Sequence, residues 1–381
     1  MALTILHPDS LSFAGNPIVV TATTNKSLGT EESFLRIVLE ASFRTTSFTD
    51  IQNLSVELSC PVQDGGTAKF NLSDAAQTLV QRVIATMDMN STSDAPADHG
   101  WPKPVSIVST YKLREVWLRD GYEQQGDATS EFSLRIVPGR LTDYEMLTMG
   151  DITVSTGMAS KPMSRKPDMG IVYDGETVIL PLVSPHSNTP SFTISVNGTQ
   201  VVSSSGSSYL SDQALDYHWG TVSHASDGEL KVTSGLVGSL SGYYRTNTRG
   251  VHFLRFINGF GAVENIAVRA KDKLSYEVSG ETHSLVQEIS TRPTDRRYAT
   301  KSEPVGVYEL SSGYVPVRWA EWYVQELLTS PRVWIQLGGK WVPALIEAED
   351  DCVIYDRTKP EMPHVDFTLR LAIDGVTGIT W

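Results

Sequence analysis

Residues 251–269 (V-H-F-L-R-F-I-N-G-F-G-A-V-E-N-I-A-V-R) constrain this chain more than any other stretch. They read as a long apolar strand, a glycine-punctuated turn and a second strand. Successive strand side chains point to opposite faces, so Val251, Phe253 and Ile257 share one face while Leu254 and Phe256 take the other. A strand apolar on both faces is buried on both, in a core or under a partner. Asn258-Gly259 supplies residue types that tolerate positive φ, and Gly261 adds another such position. No catalytic signature accompanies the segment, so its information is architectural.

Hairpin dipeptides of the same kind punctuate the whole chain. Asp-Gly occurs at Asp64, Asp120, Asp174, Asp227 and Asp374, Asn-Gly at Asn197 and Asn258, and Gly338-Gly339 adds another. Such pairs supply the φ angles of tight primed turns. Their spread predicts a mainly β fold: two or three β-sandwich-like domains, fibronectin-like and jelly-roll or galectin-like, with a few short helices.

The expected domains are 1–149, 150–290 and 291–381. In the first, 34–43, 54–58, 67–72, 105–118 and 131–137 read as strands, the last two paired across Asp120-Gly121. A helix follows Ser73, a good N-cap, on the stripe Ala76, Leu79, Val80, Val83, Ile84 and Met87. Residues 90–104 read as a surface loop. The central domain offers strands at 177–183, 191–196, 200–203, 251–258 and 263–270. In the last, Trp319, Trp322, Tyr323, Glu326 and Leu327 share a helical side, Pro331 stops that helix, and 333–337, 341–346, 352–355 and 365–371 read as strands. No short repeat period is visible.

A formal charge of −13 argues against coating nucleic acid, since phosphate binding needs clustered cations. The densest basic stretch, 292–297, includes an Asp and reads as a solvated linker. Two distant cysteines, Cys60 and Cys352, fit free buried thiols better than a disulfide framework. The N-terminal residues carry no signal-peptide pattern, and no run approaches the roughly 18 apolar residues of a membrane span. The expectation is a protein made and kept in a cytoplasm unless released by lysis.

Tests for chemistry yield no site. Gly259-x-Gly261 has Glu264 where a dinucleotide fingerprint needs Gly. The run 238–242 imitates a nucleophile elbow with Leu240 at the nucleophile position. His218, His224, Asp216 and Asp227 lack the spacing of a helical ligand pair. The acidic group Glu347, Glu349, Asp350, Asp351 and Asp356 lacks the EF-hand order of ligands and reads as a solvated turn, with calcium as the rival reading. No cofactor and no enzymatic activity are expected. Trp319, Trp322, Tyr323, Trp334 and Trp341 crowd one region. Helical spacing assigns the first three to a core, whereas Trp334 and Trp341 straddle a hairpin. With Phe253 and Phe256 they are the candidate interface residues.

Three blocks carry a family resemblance. The strand–Asn-x-x-Gly–strand of 251–269, the helix, Ser-Pro, aromatic strand and Val-Pro strand of 319–343, and F-N-L-S-D-A-A-Q-T-L at 70–79 resemble structural, tail-region proteins of phages and prophages of gut Bacteroides. The resemblance implies a non-enzymatic virion component, assembled in the host cytoplasm, most simply of the tail or tail tip. Its partners would be other copies of itself and other virion proteins, with no membrane insertion. Double-sided strands such as 251–258 would be covered by neighbouring copies in a ring or trimer. The alternative is a carbohydrate-binding or adhesion module that attaches to a host surface glycan.

Overall fold

The computed structural model describes residues 3–8, 11–45, 53–63, 65–86, 89, 107–148, 162–183, 191–205, 215–235, 238–277, 280–284, 297–301, 305–348 and 362–372. The fold is mainly β, with antiparallel sheets and few short helices, as alternation and turn chemistry predict. The chain divides into two compact units. Unit 1 comprises Met1–Thr246 and Ile257–Glu264, and unit 2 comprises Asn247–Phe256 and Asn265–Trp381.

Unit 1 begins with β1 (Thr4–Leu6), β2 (Leu11–Phe13), β3 (Val19–Thr23), β4 (Glu32–Thr45), β5 (Asn53–Pro61), β6 (Thr67–Asn71), α1 (Ser73–Thr86), β7 (Ile107–Arg119), β8 (Tyr122–Gln125), β9 (Phe132–Val137) and α2 (Asp143–Thr148). One sheet runs β1-β3-β6, and the facing sheet runs β2-β9-β7-β4-β5 with β8 paired to β7. Alternation sends Val20 and Ala22 of β3 and Ile37, Leu39, Ala41 and Phe43 of β4 into one core. Ala76, Leu79 and Val80 of α1 pack onto it. Ser73 lies within the helix rather than capping it by its hydroxyl: Ala76 N–H donates to Leu72 O at 3.2 Å, and Asn71 Oδ1 accepts the Ser73 N–H at 3.1 Å.

A second sandwich follows: β10 (Gly170–Tyr173), β11 (Thr177–Val183), β12 (Ser191–Val196), β13 (Thr199–Ser205), β14 (Leu215–Thr221), β15 (Gly228–Ser234) and β16 (Gly238–Arg245). Its large sheet runs β10-β16-β15-β12-β13, opposite β11-β14. This repeats the order of the first large sheet strand for strand, down to a short first strand lying parallel to the last. Val178, Leu180, Phe192, Ile194, Leu230, Val232 and Tyr244 fill the core between its sheets.

Unit 2 contains β17 (His252–Ile257, whose last residue belongs to unit 1), β18 (Val263–Val268, whose first two do), β19 (Ala270–Glu277), β20 (Gly280–Ser284), β21 (Arg297–Lys301), β22 (Val305–Ser311), α3 (Val317–Trp322), β23 (Val333–Leu337), β24 (Lys340–Ala348) and β25 (Asp366–Leu371). Seven of these strands form a sheet in the order β18-β17-β23-β24-β25-β22-β19. The helix α3 continues as a π-helical turn, Tyr323–Leu327, closed by Leu328 N–H donating to Tyr323 O at 3.0 Å. Trp319, Trp322, Tyr323 and Leu327 form the core with Leu254, Phe256, Ile335 and Phe367, so these aromatics fill a core.

Three dipeptides adopt positive φ at both positions and close two-residue hairpins: Asp120-Gly121 at +51° and +79°, Asn197-Gly198 at +51° and +78°, Gly338-Gly339 at +55° and +77°. The Asp120-Gly121 turn leads into β8, and 132–137 pairs with the far end of β7 instead. Asn258-Gly259 has no positive φ; in that turn only Gly261 does, at +77°. Asp64, Asp374, Cys352 and residues 90–104 lie outside the described residues.

Candidate functional site: the 251–269 hairpin and the strand edges

The base of the hairpin is a core element of unit 2. Leu254 and Phe256 face its apolar core, and Phe256 meets Trp322 edge to face at 5.6 Å. On the opposite face Arg255, 3% exposed, lays its guanidinium 4.0 Å from the Trp341 ring. Its Nε donates to Asn265 Oδ1 at 2.8 Å. Burial lowers the Arg255 pKa to about 9. The chain's own β18 and β23 flank β17, so both of its edges are paired within this chain and no neighbouring copy is needed to cover them.

The tip of the hairpin belongs to unit 1. Asn258 organises it: its Oδ1 accepts the N–H groups of Phe260 (3.0 Å) and Ala262 (2.9 Å), and its Nδ2 donates to Glu264 Oε1 (2.5 Å) and Met163 O (2.8 Å). The turn presents Phe260, 4% exposed, as a knob. Its ring lies 6.2 Å from Phe13 and 4.1 Å from the Arg165 guanidinium. Arg140 N–H donates to Gly259 O at 2.7 Å, and Val263 N–H donates to Tyr217 Oη at 2.9 Å.

This knob sits at the junction of the two sandwiches, between the end of β9 and the segment leading to β10. Gly139 is required there: a Cβ would stand 1.9 Å from the Phe260 carbonyl carbon. The Arg165 fork donates from Nε and Nη2 to Glu145, both at 2.6 Å, and Nη2 also reaches Arg140 O at 3.0 Å. Burial raises the Glu145 pKa, but the Arg165 bonds and the Thr142 N–H outweigh it and hold the carboxyl below its ordinary range. Asn16 doubles the tie, donating to Leu141 O at 3.0 Å and accepting the Leu141 N–H at 2.7 Å. These groups position backbone; the polar atoms named are committed to one another.

Of the four interface candidates, Phe256 and Trp334 are buried, 0% and 2% exposed, whereas Phe253 and Trp341 are half-buried. The structure brings them onto neighbouring strands: Arg255 pairs with Trp334, and β23 pairs with β24. Other aromatics stand further out, and sequence reasoning missed them: Tyr122, Tyr144, Tyr314 and Phe34. Each stands singly in its local sequence, and Phe34 is turned outward by a bulge at φ +51° that no periodicity announces.

The histidine group considered for metal is dispersed. His218 is buried on β14 with its ring 5.3 Å from Phe192, and burial lowers its pKa to about 4. The His224 ring bonds Ser226 O at 3.0 Å, while Asp227 accepts the Thr246 N–H and hydroxyl, both at 2.7 Å. Among the described residues no three His, Cys, Asp or Glu side chains are grouped to hold a metal ion. Of the acidic cluster only Glu347 is described, and it accepts from Arg370 Nε at 3.0 Å. Cys60 is a free, half-buried thiol. A shallow groove of about 600 Å³ runs along β5, β4 and β7, lined by Glu40, Ser42, Ser55, Glu57, Thr110 and Lys112 among others.

No family model matches the chain, and no curated protein matches it. Among solved structures it is similar to trypsin-activated alpha-2-macroglobulin from Escherichia coli, at 10% identity and TM-score 0.21, covering 96% of this chain and 21% of that one. It is also similar to a marsupial T cell receptor, at 8% identity and TM-score 0.18, covering 99% and 94%. A chimeric titin Z1Z2-Z1Z2 tandem matches at 9% identity and TM-score 0.13, covering 65% and 100%. The chain thus spans about a fifth of the alpha-2-macroglobulin, and likenesses this distant carry no functional argument. Among the described residues, no helix is long and apolar enough to cross a membrane.

Proposed function

We propose that this chain is a non-enzymatic structural component of a phage virion, of the tail or tail tip, acting through symmetric homo-oligomeric assembly and contacts with other virion proteins. The class comes from the resemblance of three blocks of sequence to tail-region proteins. The observation that carries the structural role is the Phe260 junction. There the chain spends the buried Asn258 and the half-buried Arg165–Glu145 pair on joining two sandwiches of equal strand order. A tandem held in this way is suited to bearing load and presenting strand edges. Light scattering on a sizing column tests the reading: a discrete symmetric oligomer is expected, and a tail protein from the same gene region should co-elute with it. A compact monomer at the highest soluble concentration, together with retention on a glycan array, would replace the assembly reading with a binding module.

A further inference from the structure

Edge strands expose unpaired backbone groups, and proteins that stay monomeric blunt them with short strands, bulges, lysines or inward charges. Most long edges described here carry such devices. Strand β13, seven residues long, pairs with β12 through a register shift. Strand β19 carries a register shift and the exposed Lys273. Strand β18 is six residues long and includes Glu264, and β2 and β10 have three and four residues. Strand β5 differs. It is the longest edge among the described residues, at nine, and pairs with β4 in one unbroken register. It contains no lysine or arginine, and its one charge is Glu57. One face, Leu54, Val56, Leu58 and Cys60, lies over the sandwich core yet stays half-buried; the other is exposed.

We propose that β5 is the seam of a two-fold interface, pairing antiparallel with β5 of a second copy so that the two six-stranded sheets become one. This rests on the assembly reading above. The strand's own sequence selects the partner and the register. Antiparallel neighbours point to the same face, so the apolar faces coincide only where paired residue numbers add to an even sum. A dyad at Glu57 opposes two like charges, which is unfavourable. A dyad at Leu58 brings Pro61, which has no N–H, into the ladder. A dyad at Val56 avoids both and keeps the longest overlap that does so, residues 53–59. It sets Val56 against its own copy, Leu54 against Leu58, and Ser55 against Glu57. An identical strand on each side meets the requirement of an isologous contact.

This register makes a signed prediction. Ser55 is exposed, so its replacement leaves the sandwich core untouched. Ser55→Glu faces Glu57 of the second copy twice across the dyad and weakens association by about tenfold; Ser55→Lys tightens it by about tenfold. Sedimentation equilibrium of the full chain and both variants measures this, with thermal melts showing that the variants fold alike. Opposite shifts support the seam. Association that persists with the two variants shifted alike, or not at all, overturns β5 as the seam and leaves the assembly reading standing. A wild-type chain that stays monomeric at every concentration overturns both.

Discussion

The two sandwiches of unit 1 share a strand order but close their cores by different means. The first covers its core with α1, an apolar lid in which Ala76 and Leu79 are fully buried. The second has no helix among its described residues and relies on buried hydrogen-bonding groups. Tyr244 Oη donates to Asp174 Oδ1 at 2.6 Å and accepts the His224 N–H at 2.8 Å. Burial and the Asp174 bond raise the Tyr244 pKa to about 12. Glu176, 4% exposed, accepts the Tyr173 N–H at 2.9 Å, and His218 is buried within β14. Strand order therefore does not dictate how a sandwich is sealed. The first sandwich also buries polar groups, Thr24 with Glu115 and Lys26 with the half-buried Glu32, so the two differ in what covers the core rather than in whether polar groups are buried.

The largest expected effect separates the two seals directly. Leu79→Ala removes a fully buried side chain from the lid and costs the first sandwich about 3 kcal/mol. Tyr244→Phe leaves the Asp174 carboxylate and the His224 N–H without the hydroxyl and costs the second about 1–2 kcal/mol. Hydrogen exchange read by mass spectrometry localises each loss. The first should raise exchange in β3, β4 and β6, and the second in β11, β12 and β15. If either substitution loosened both sandwiches equally, the contrast would be wrong.

Some of this was legible in the sequence. Strands 177–183, 191–196 and 333–337 are readable to the residue because short β-branched or apolar runs are bounded by turn residues. The two-residue turns at Asp120, Asn197 and Gly338 are readable because φ requirements are local. The repeated strand order is not, because order is set by pairings between distant residues. Strand β16, with its Gly, Ser and Tyr, shows no apolar alternation at all. The 251–269 segment announces its architectural weight. The partners of its tip do not, since Met163 is 95 residues from Asn258. A double-sided apolar strand signals burial on both sides, but whether the cover comes from this chain or another is a matter of tertiary fold.

A smaller effect comes from the two buried titratable groups. Burial raises the Glu176 pKa from 4.5 to about 7 despite the attraction of Lys166, and lowers that of His218 from 6.5 to about 4. Between pH 4.5 and 7 the folded state holds a proton on Glu176 that the unfolded chain releases, so this group's contribution falls as pH rises. Between pH 4 and 6.5 the unfolded chain protonates His218 and the folded state does not, so that contribution falls as pH drops. The two oppose each other over their shared window. Glu176→Gln should leave only acid destabilisation below pH 6.5, and His218→Phe only a decline from pH 4.5 toward 7. Each amounts to on the order of 2 kcal/mol, read as exchange of the β11 and β14 amides against pH. Parallel slopes in the two variants would show that these groups do not set the pH response.

The smallest effect compares one turn in each sandwich. Asp120 and Asn197 both hold φ at +51° at the first position of a two-residue hairpin turn. Alanine at either should cost about 1 kcal/mol from the left-handed backbone alone. Asn197 is also tied to the next turn: its Nδ2 donates to Asp227 O and its Oδ1 accepts the Glu229 N–H, both at 3.1 Å. A Cβ at Gly228 would stand 1.8 Å from that Oδ1, so the two turns interlock. Glycine distinguishes the roles, because it restores φ without restoring side-chain bonds. Asp120→Gly should return the β7–β8 hairpin to wild-type protection, whereas Asn197→Gly should leave β12–β13 about 1 kcal/mol less protected. Full recovery by Asn197→Gly would reduce Asn197 to its backbone angle and make the two turns equivalent. Partial recovery would mean that the second sandwich fastens even its surface turns with hydrogen bonds, as it does its core.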